Sequence, residues 1–284
     1  MEALGIRRSE SHLDVSGGRA LFRRSWIPSQ PERVLVLVHG YAEHSGRYEA
    51  MGAWLAERGC AVHAYDQQGH GRSDGIRGFA RDFSELLDDL DAVLDAAKAA
   101  HPELPAFVVG HSMGGLVAAA WAVERGEGAA GVVTSGAALS LGAVVSRTRL
   151  LMLRTLRRVR PRQTIPQPIA PEALSRDPEV GRAYAADPLV FQRITLSLAA
   201  EMFDAASRTL ASAGQVRLPM LLLHGEDDPL CAPQGSRTFF EQLTTSGSAL
   251  KLYAGLRHEI FNEPEREQIF ADLLDWLRKR EVDL

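Results

Sequence analysis

The pentad Gly110-His111-Ser112-Met113-Gly114 fits the pattern G-x-S-x-G. In that pattern a serine can stand on a strained strand-to-helix turn with its hydroxyl presented as a nucleophile. Glycines flank it because side chains there would collide. The same five residues can also be a plain glycine-rich turn, so the context has to decide. That context is present: "AFVV" before the pentad suits a buried strand, and "LVAAAWAVE" after it suits a helix.

A serine nucleophile needs a base, and the base needs an acid to orient it. On an elbow of this kind the acid and then the base follow the serine in the chain. Of nine histidines only His224 and His258 lie beyond Ser112. His224 ends the apolar run "PMLLLHG", and the acids that could serve it belong to an irregular stretch. His258, in "GLRHEIFNE", follows an acid cluster and a further strand-like run, which makes it the expected base. The cluster "HGEDDPL" offers Glu226, Asp227 and Asp228. Position separates the three poorly, although the turn fixed by Pro229 gives a modest reason to prefer Asp228.

These residues need a frame that brings them together. Residues 34–38, 60–66, 106–110, 130–136, 219–225 and 250–255 read as short apolar strands, and residues 12–15 and 20–26 as a weak hairpin. Helical spacing lies between them: Tyr48, Met51 and Leu55; Phe83, Leu86, Leu87, Leu90 and Leu94; and a closing helix carrying Ile269, Phe270, Leu273, Leu274 and Leu277. The acids Asp88, Asp89 and Asp91 are expected on a solvated helix face. Alternating strands and helices predict an α/β fold with a mostly parallel central sheet flanked by helices. Each candidate residue then falls at the carboxyl edge of that sheet, where sites of open α/β folds collect. The alternation breaks between residues 138 and 215, a helical, proline-punctuated stretch without a clear strand. We therefore expect a first core part over 1–137, a cap inserted over 138–215, and a second core part over 216–284.

The bulk properties narrow the function. The formal charge of −4 leaves no basic footprint for nucleic acid. Two distant cysteines, Cys60 and Cys231, make no disulfide framework and suit a reducing compartment. No apolar leader and no uncharged run long enough to span a bilayer is read, so a cytoplasmic protein is expected. The stretch "RTRLLMLRTLRRVRPR" holds seven arginines and no acid. It is either a lid helix that touches a lipid surface or an ordinary solvated helix of the cap.

Taken in order, "HGYAEHSGRY", "DQQGHGRSDG", "GHSMGG", "HGEDD" and "HEIFNEPER" resemble the monoacylglycerol lipase family of serine α/β-hydrolases, and "SRDPEVGRAYAADPLV" is similar to that family's cap. The resemblance spans nearly the whole chain. It implies a triad of Ser112, Asp228 and His258, with the main-chain amides of Tyr41 and Met113 as the oxyanion hole. It further implies a small lipid ester as substrate, most directly a monoacylglycerol, with lysophospholipids and short-chain esters as rivals. No metal or organic cofactor is implied. Glu43, His44 and Arg47 stand where the family places polar groups for the glycerol hydroxyls, yet their types equally suit a salt-bridge network pinning the loop. Ala42 stands where relatives often have glycine. His39 is expected to shape the oxyanion turn, and Cys231 to be a small buried side chain near the acid.

Overall fold

The computed structural model describes residues 5–140 and 147–281. Its centre is an eight-stranded sheet in the order β1-β2-β4-β3-β5-β6-β9-β10. The strands are β1 (Arg7–Val15), β2 (Arg19–Ile27), β3 (Arg33–Val38), β4 (Cys60–Tyr65), β5 (Ala106–His111), β6 (Gly131–Ser135), β9 (Met220–Gly225) and β10 (Ala249–Tyr253). β1 pairs antiparallel with β2, and β2 antiparallel with β4; every other pairing in this sheet is parallel. Every residue of β3, β5 and β9 is buried, as their continuous apolar runs require of strands covered on both faces.

Side chains alternate between the two faces. Val34, Val36, Val38 and Val108 enter one core with α2 (Ser84–Ala100), α3 (Met113–Glu124) and α7 (Pro233–Gln242). Leu35, Leu37, Phe107 and Val109 enter the other with α1 (Glu49–Ala56) and α8 (Arg266–Glu281). The result is a three-layer sandwich whose carboxyl edge carries the ends of β3, β5, β9 and β10.

Between β6 and β9 run α4 (Arg147–Val159), β7 (Thr164–Pro166), α5 (Pro178–Ala186), β8 (Arg193–Thr195) and α6 (Leu196–Ala211). Residues 141–146 of the expected insertion, and the side chain of Arg147, lie outside the described residues. Two readings need correction here. The insertion does contain strands: β7 and β8 form a small antiparallel ladder, each only three residues long and too short to leave a periodic signal. The acids of α2 do not share one solvated face either. Asp89 is buried and accepts from both Nη atoms of Arg19 at 3.0 and 2.9 Å, while Asp88 and Asp91 receive Arg125.

Candidate active site

The carboxyl end of β5 turns sharply into α3 at Ser112. The serine sits at φ 54°, ψ −116°, a left-handed conformation that side chains rarely adopt. Its backbone is fully engaged: the amide donates to the carbonyl of Ser135 at 2.9 Å, and the carbonyl accepts from Leu116 and Ala138 at 3.0 Å each. Glycine is enforced around it by contact. A Cβ on Gly114 would meet the carbonyl oxygens of Val38 and His39 at 2.1 and 2.4 Å, and one on Gly110 would meet the Gly114 oxygen at 2.2 Å. The start of α3 therefore lies directly against the end of β3.

His258 follows β10, and Asp228 follows β9. Nε2 of His258 lies 2.9 Å from Oγ of Ser112, and Nδ1 of His258 lies 2.7 Å from Oδ2 of Asp228. Asp228 is held in turn by the amides of Leu230 and Cys231, at 2.8 and 2.9 Å from Oδ1. The three residues expected from the sequence thus form one continuous chain of hydrogen bonds. Glu226 and Asp227 are exposed, and Glu226 pairs with Arg237.

The electrostatics of the pair reinforce its polarity. Burial alone would lower the His258 imidazole, but the charge and hydrogen bond of Asp228, with Glu259 and Glu43 behind it, raise it above the ordinary histidine value. Burial opposes ionisation of Asp228; His258, His224 and the Cys231 amide together hold it well below the usual carboxylate range. An ionised Asp228 places the proton on Nδ1 and leaves Nε2 free to accept from Ser112. His111, whose ring lies 4.8 Å from that of His258, is pushed down to about 4 by burial and by His258, so it stays neutral.

The turn after β3 packs on the serine. A Cβ on Gly40 would come within 3.2 Å of the Ser112 Cβ, which sets Gly40 and Tyr41 beside the nucleophile. His39 shapes this turn: Nδ1 is 2.7 Å from the Gly40 carbonyl, and Nε2 accepts from the Gln67 amide at 2.9 Å. Met113 is the first residue of α3, where helix amides lack an intrahelical partner. Ala42 takes φ 62°, a conformation that glycine adopts without steric cost.

Glu43 and Arg47 lie at the same pocket but are bonded within the protein. Glu43 accepts from the Gly40 amide (2.6 Å), the Tyr48 hydroxyl (2.8 Å) and Arg47 (2.6 Å). Arg47 and His111 outweigh the burial of Glu43 and bring its carboxyl down to about 2. His44 pairs instead with Asp187, just after α5, at 2.8 Å. Ile169, Leu174 and Tyr184 of the insertion line the pocket beside Ser112, which stays partly exposed.

Two participants escaped the sequence reading. His224 Nε2 is 3.1 Å from Oδ2 of Asp228, the oxygen that also meets His258. Glu259, adjacent to His258, forms a bidentate pair with Arg47. The first carried a signal, a histidine at a strand end four residues before the acid. The second is a long-range pairing invisible to local pattern. Among the described residues, the one group with three metal-capable donors is Asp228, Cys231 and His258. Two of these are already bonded to each other, so the group is part of this site and not a separate one.

Sheet order and elbow define an α/β-hydrolase. A family model described as serine aminopeptidase, S33 (Hydrolase_4) matches residues 29–265, and the chain belongs to that family. It is 35% identical over 272 residues to the monoacylglycerol lipase of Mycolicibacterium smegmatis, covering 95% of this chain and 97% of that one. To human monoglyceride lipase it is 32% identical, over 95% of this chain and 90% of the relative. The crystal structure of Paleococcus ferrophilus monoacylglycerol lipase superposes with a TM-score of 0.84 at 33% identity, covering 92% and 99% of the two chains.

Proposed function

We propose that the protein is a carboxylic ester hydrolase that cleaves monoacylglycerol to a free fatty acid and glycerol. One observation carries the chemistry: a serine on a strained elbow, 2.9 Å from an imidazole whose other nitrogen meets a buried carboxylate. The full-length relatives named above supply the substrate class.

In this reading Oγ of Ser112 attacks the ester carbonyl while Nε2 of His258 takes its proton. The imidazolium is stabilised by Asp228, and the oxyanion by the amides of Tyr41 and Met113. Collapse returns the proton to the departing glycerol oxygen and leaves an acyl-serine. Water, deprotonated by His258, then releases the fatty acid and restores Ser112.

We read the insertion, whose Ile169, Leu174 and Tyr184 line the pocket beside Ser112, as a lid that moves to admit an acyl chain. On α4, Arg154 and Arg157 turn toward the body of the protein and several apolar side chains away from it. Arg154 bonds Asp204, and Arg157 bonds Glu201 and Asp204, all against α6. Leu151, Met152, Leu156 and Val159 are left exposed. An apolar stripe turned to solvent marks a surface for membrane or partner. We read it as the lipid-facing side of the lid. Replacing Leu151 and Val159 together by glutamate should abolish pelleting with phospholipid vesicles; unchanged pelleting rejects this reading.

The substrate assignment is tested by rates on a monoacylglycerol, the lysophospholipid with the same acyl chain, and a short-chain ester, measured side by side. Monoacylglycerol should give the highest kcat/KM. A clear lysophospholipid preference overturns the assignment.

A further inference from the structure

Arg47 is the hub of a buried ion cluster that joins the two loops of the site. Its Nη1 donates to Oε2 of Glu43 and to Oε1 of Glu259, each at 2.6 Å, and its Nη2 donates to Oε2 of Glu259 at 2.8 Å. None of the three side chains is more than 11% exposed. Each carboxylate is anchored on its own side. Glu43 holds the Gly40 amide of the oxyanion turn. Glu259 follows His258 in the chain; its carboxylate accepts from Nδ2 of Asn262 at 2.8 Å, and its amide donates to the Leu174 carbonyl at 2.7 Å. The ring of Tyr184 covers the guanidinium, with its centroid 4.9 Å from Cζ.

The topology makes this junction necessary. The oxyanion turn leaves β3 and the His258 loop leaves β10, with β5, β6 and β9 between them in the sheet. No ladder hydrogen bond fixes one loop against the other. A planar guanidinium bonded at two points to one carboxylate and at a third to another fixes both distance and orientation, which an ammonium on a flexible stem does not.

We propose that Arg47 and Glu259 form a positioning clamp that holds the His258 imidazole in register with the oxyanion amides of Tyr41 and Met113. The inference rests on the catalytic reading of Ser112, His258 and those amides. It also assigns Arg47 a place in the geometry of catalysis: three of its five N–H groups are already given to Glu43 and Glu259.

The groups that face His258 are Asp228, Ser112, His111, Cys231, Glu43 and Glu259. Glu259 and Glu43 both favour its protonated form. Neutralising Glu259 therefore also makes the imidazole less basic.

The experiment compares Glu259→Gln and Arg47→Lys with wild type. It uses a monoacylglycerol and the ethyl ester of the same fatty acid, which has no free hydroxyl. The clamp predicts a fall in kcat of about 10- to 100-fold on both esters alike, with KM little changed, as small misplacements at a reacting centre produce. It also predicts that the acid limb of the Glu259→Gln kcat/KM profile moves to lower pH. Arg47→Lys keeps the cation and decides the matter if Glu259→Gln loses its fold, as read by its melting temperature. A loss confined to the monoacylglycerol and carried in KM overturns the clamp in favour of alcohol recognition, and unchanged kcat in both variants overturns it outright. Fluorophosphonate labelling of the wild type separates the two levels. No adduct at Ser112 removes the catalytic reading itself, whereas a normal adduct with unchanged variant kcat removes only the clamp.

Discussion

Asp228 holds its base with help from a second histidine: Nε2 of His224 stands 3.1 Å from the same carboxylate oxygen that His258 Nδ1 meets at 2.7 Å. His224 is itself fixed, with Nδ1 2.8 Å from the Ser236 hydroxyl and Nε2 2.9 Å from the Cys231 carbonyl. It is fully buried and cannot reach substrate, so its effect passes through the carboxylate. His224→Phe should lower kcat on the order of 10-fold, about 1.4 kcal/mol of barrier, with KM unchanged. Steady-state kinetics check this, and a wild-type kcat would deny His224 any part in orienting Asp228.

The acid itself is tested by a pair of variants. Asp228→Asn should reduce turnover on the order of 10⁴-fold, because an amide no longer selects the productive tautomer. Asp227 is exposed one residue away, and Asp227→Asn should leave turnover near wild type. Reversal of the two results would move the acid to Asp227.

The pH profile follows from the sign of the shift at His258. The reactive form needs a neutral imidazole, and the folded protein raises its pKa above 6.5. As pH falls through that raised value His258 protonates and kcat/KM is lost, so the acid limb should have its midpoint above pH 6.5. A midpoint clearly below it would mean that burial outweighs Asp228.

Strain at the elbow gives a stability prediction. Ser112 at φ 54°, ψ −116° carries a conformational cost of about 1–3 kcal/mol that glycine does not share. Ser112→Gly should therefore melt higher than Ser112→Ala while both are inactive. Thermal unfolding of the two variants decides this, and equal or reversed melting temperatures would remove strain from the account.

The parts of the structure legible in the sequence were those with strong local pattern. β3, β5 and β9 are continuous apolar runs because both their faces are covered, and that burial dictates composition. The elbow was legible because glycine alone fits where carbonyl oxygens approach as closely as they do at Gly110 and Gly114. The choice among Glu226, Asp227 and Asp228 was not, since which of three consecutive acids turns inward is set by the loop, not by residue type. β7 and β8 are three residues each and left no period. The pairings of Asp89 with Arg19 and of Glu259 with Arg47 join residues far apart in the chain, so no window of sequence could show them. The arginine-rich segment of α4 was visible in the sequence, but only the structure shows Leu151, Met152, Leu156 and Val159 facing outward.

The central claim is that Ser112 is a nucleophile activated by His258 to attack a lipid ester. Mapping the adduct of a fluorophosphonate probe by mass spectrometry, with and without competing monoacylglycerol, tests it most directly. The account predicts a single adduct on Ser112, slowed by monoacylglycerol and absent from His258→Ala. An unmodified Ser112, or an adduct that forms equally fast without His258, would contradict it.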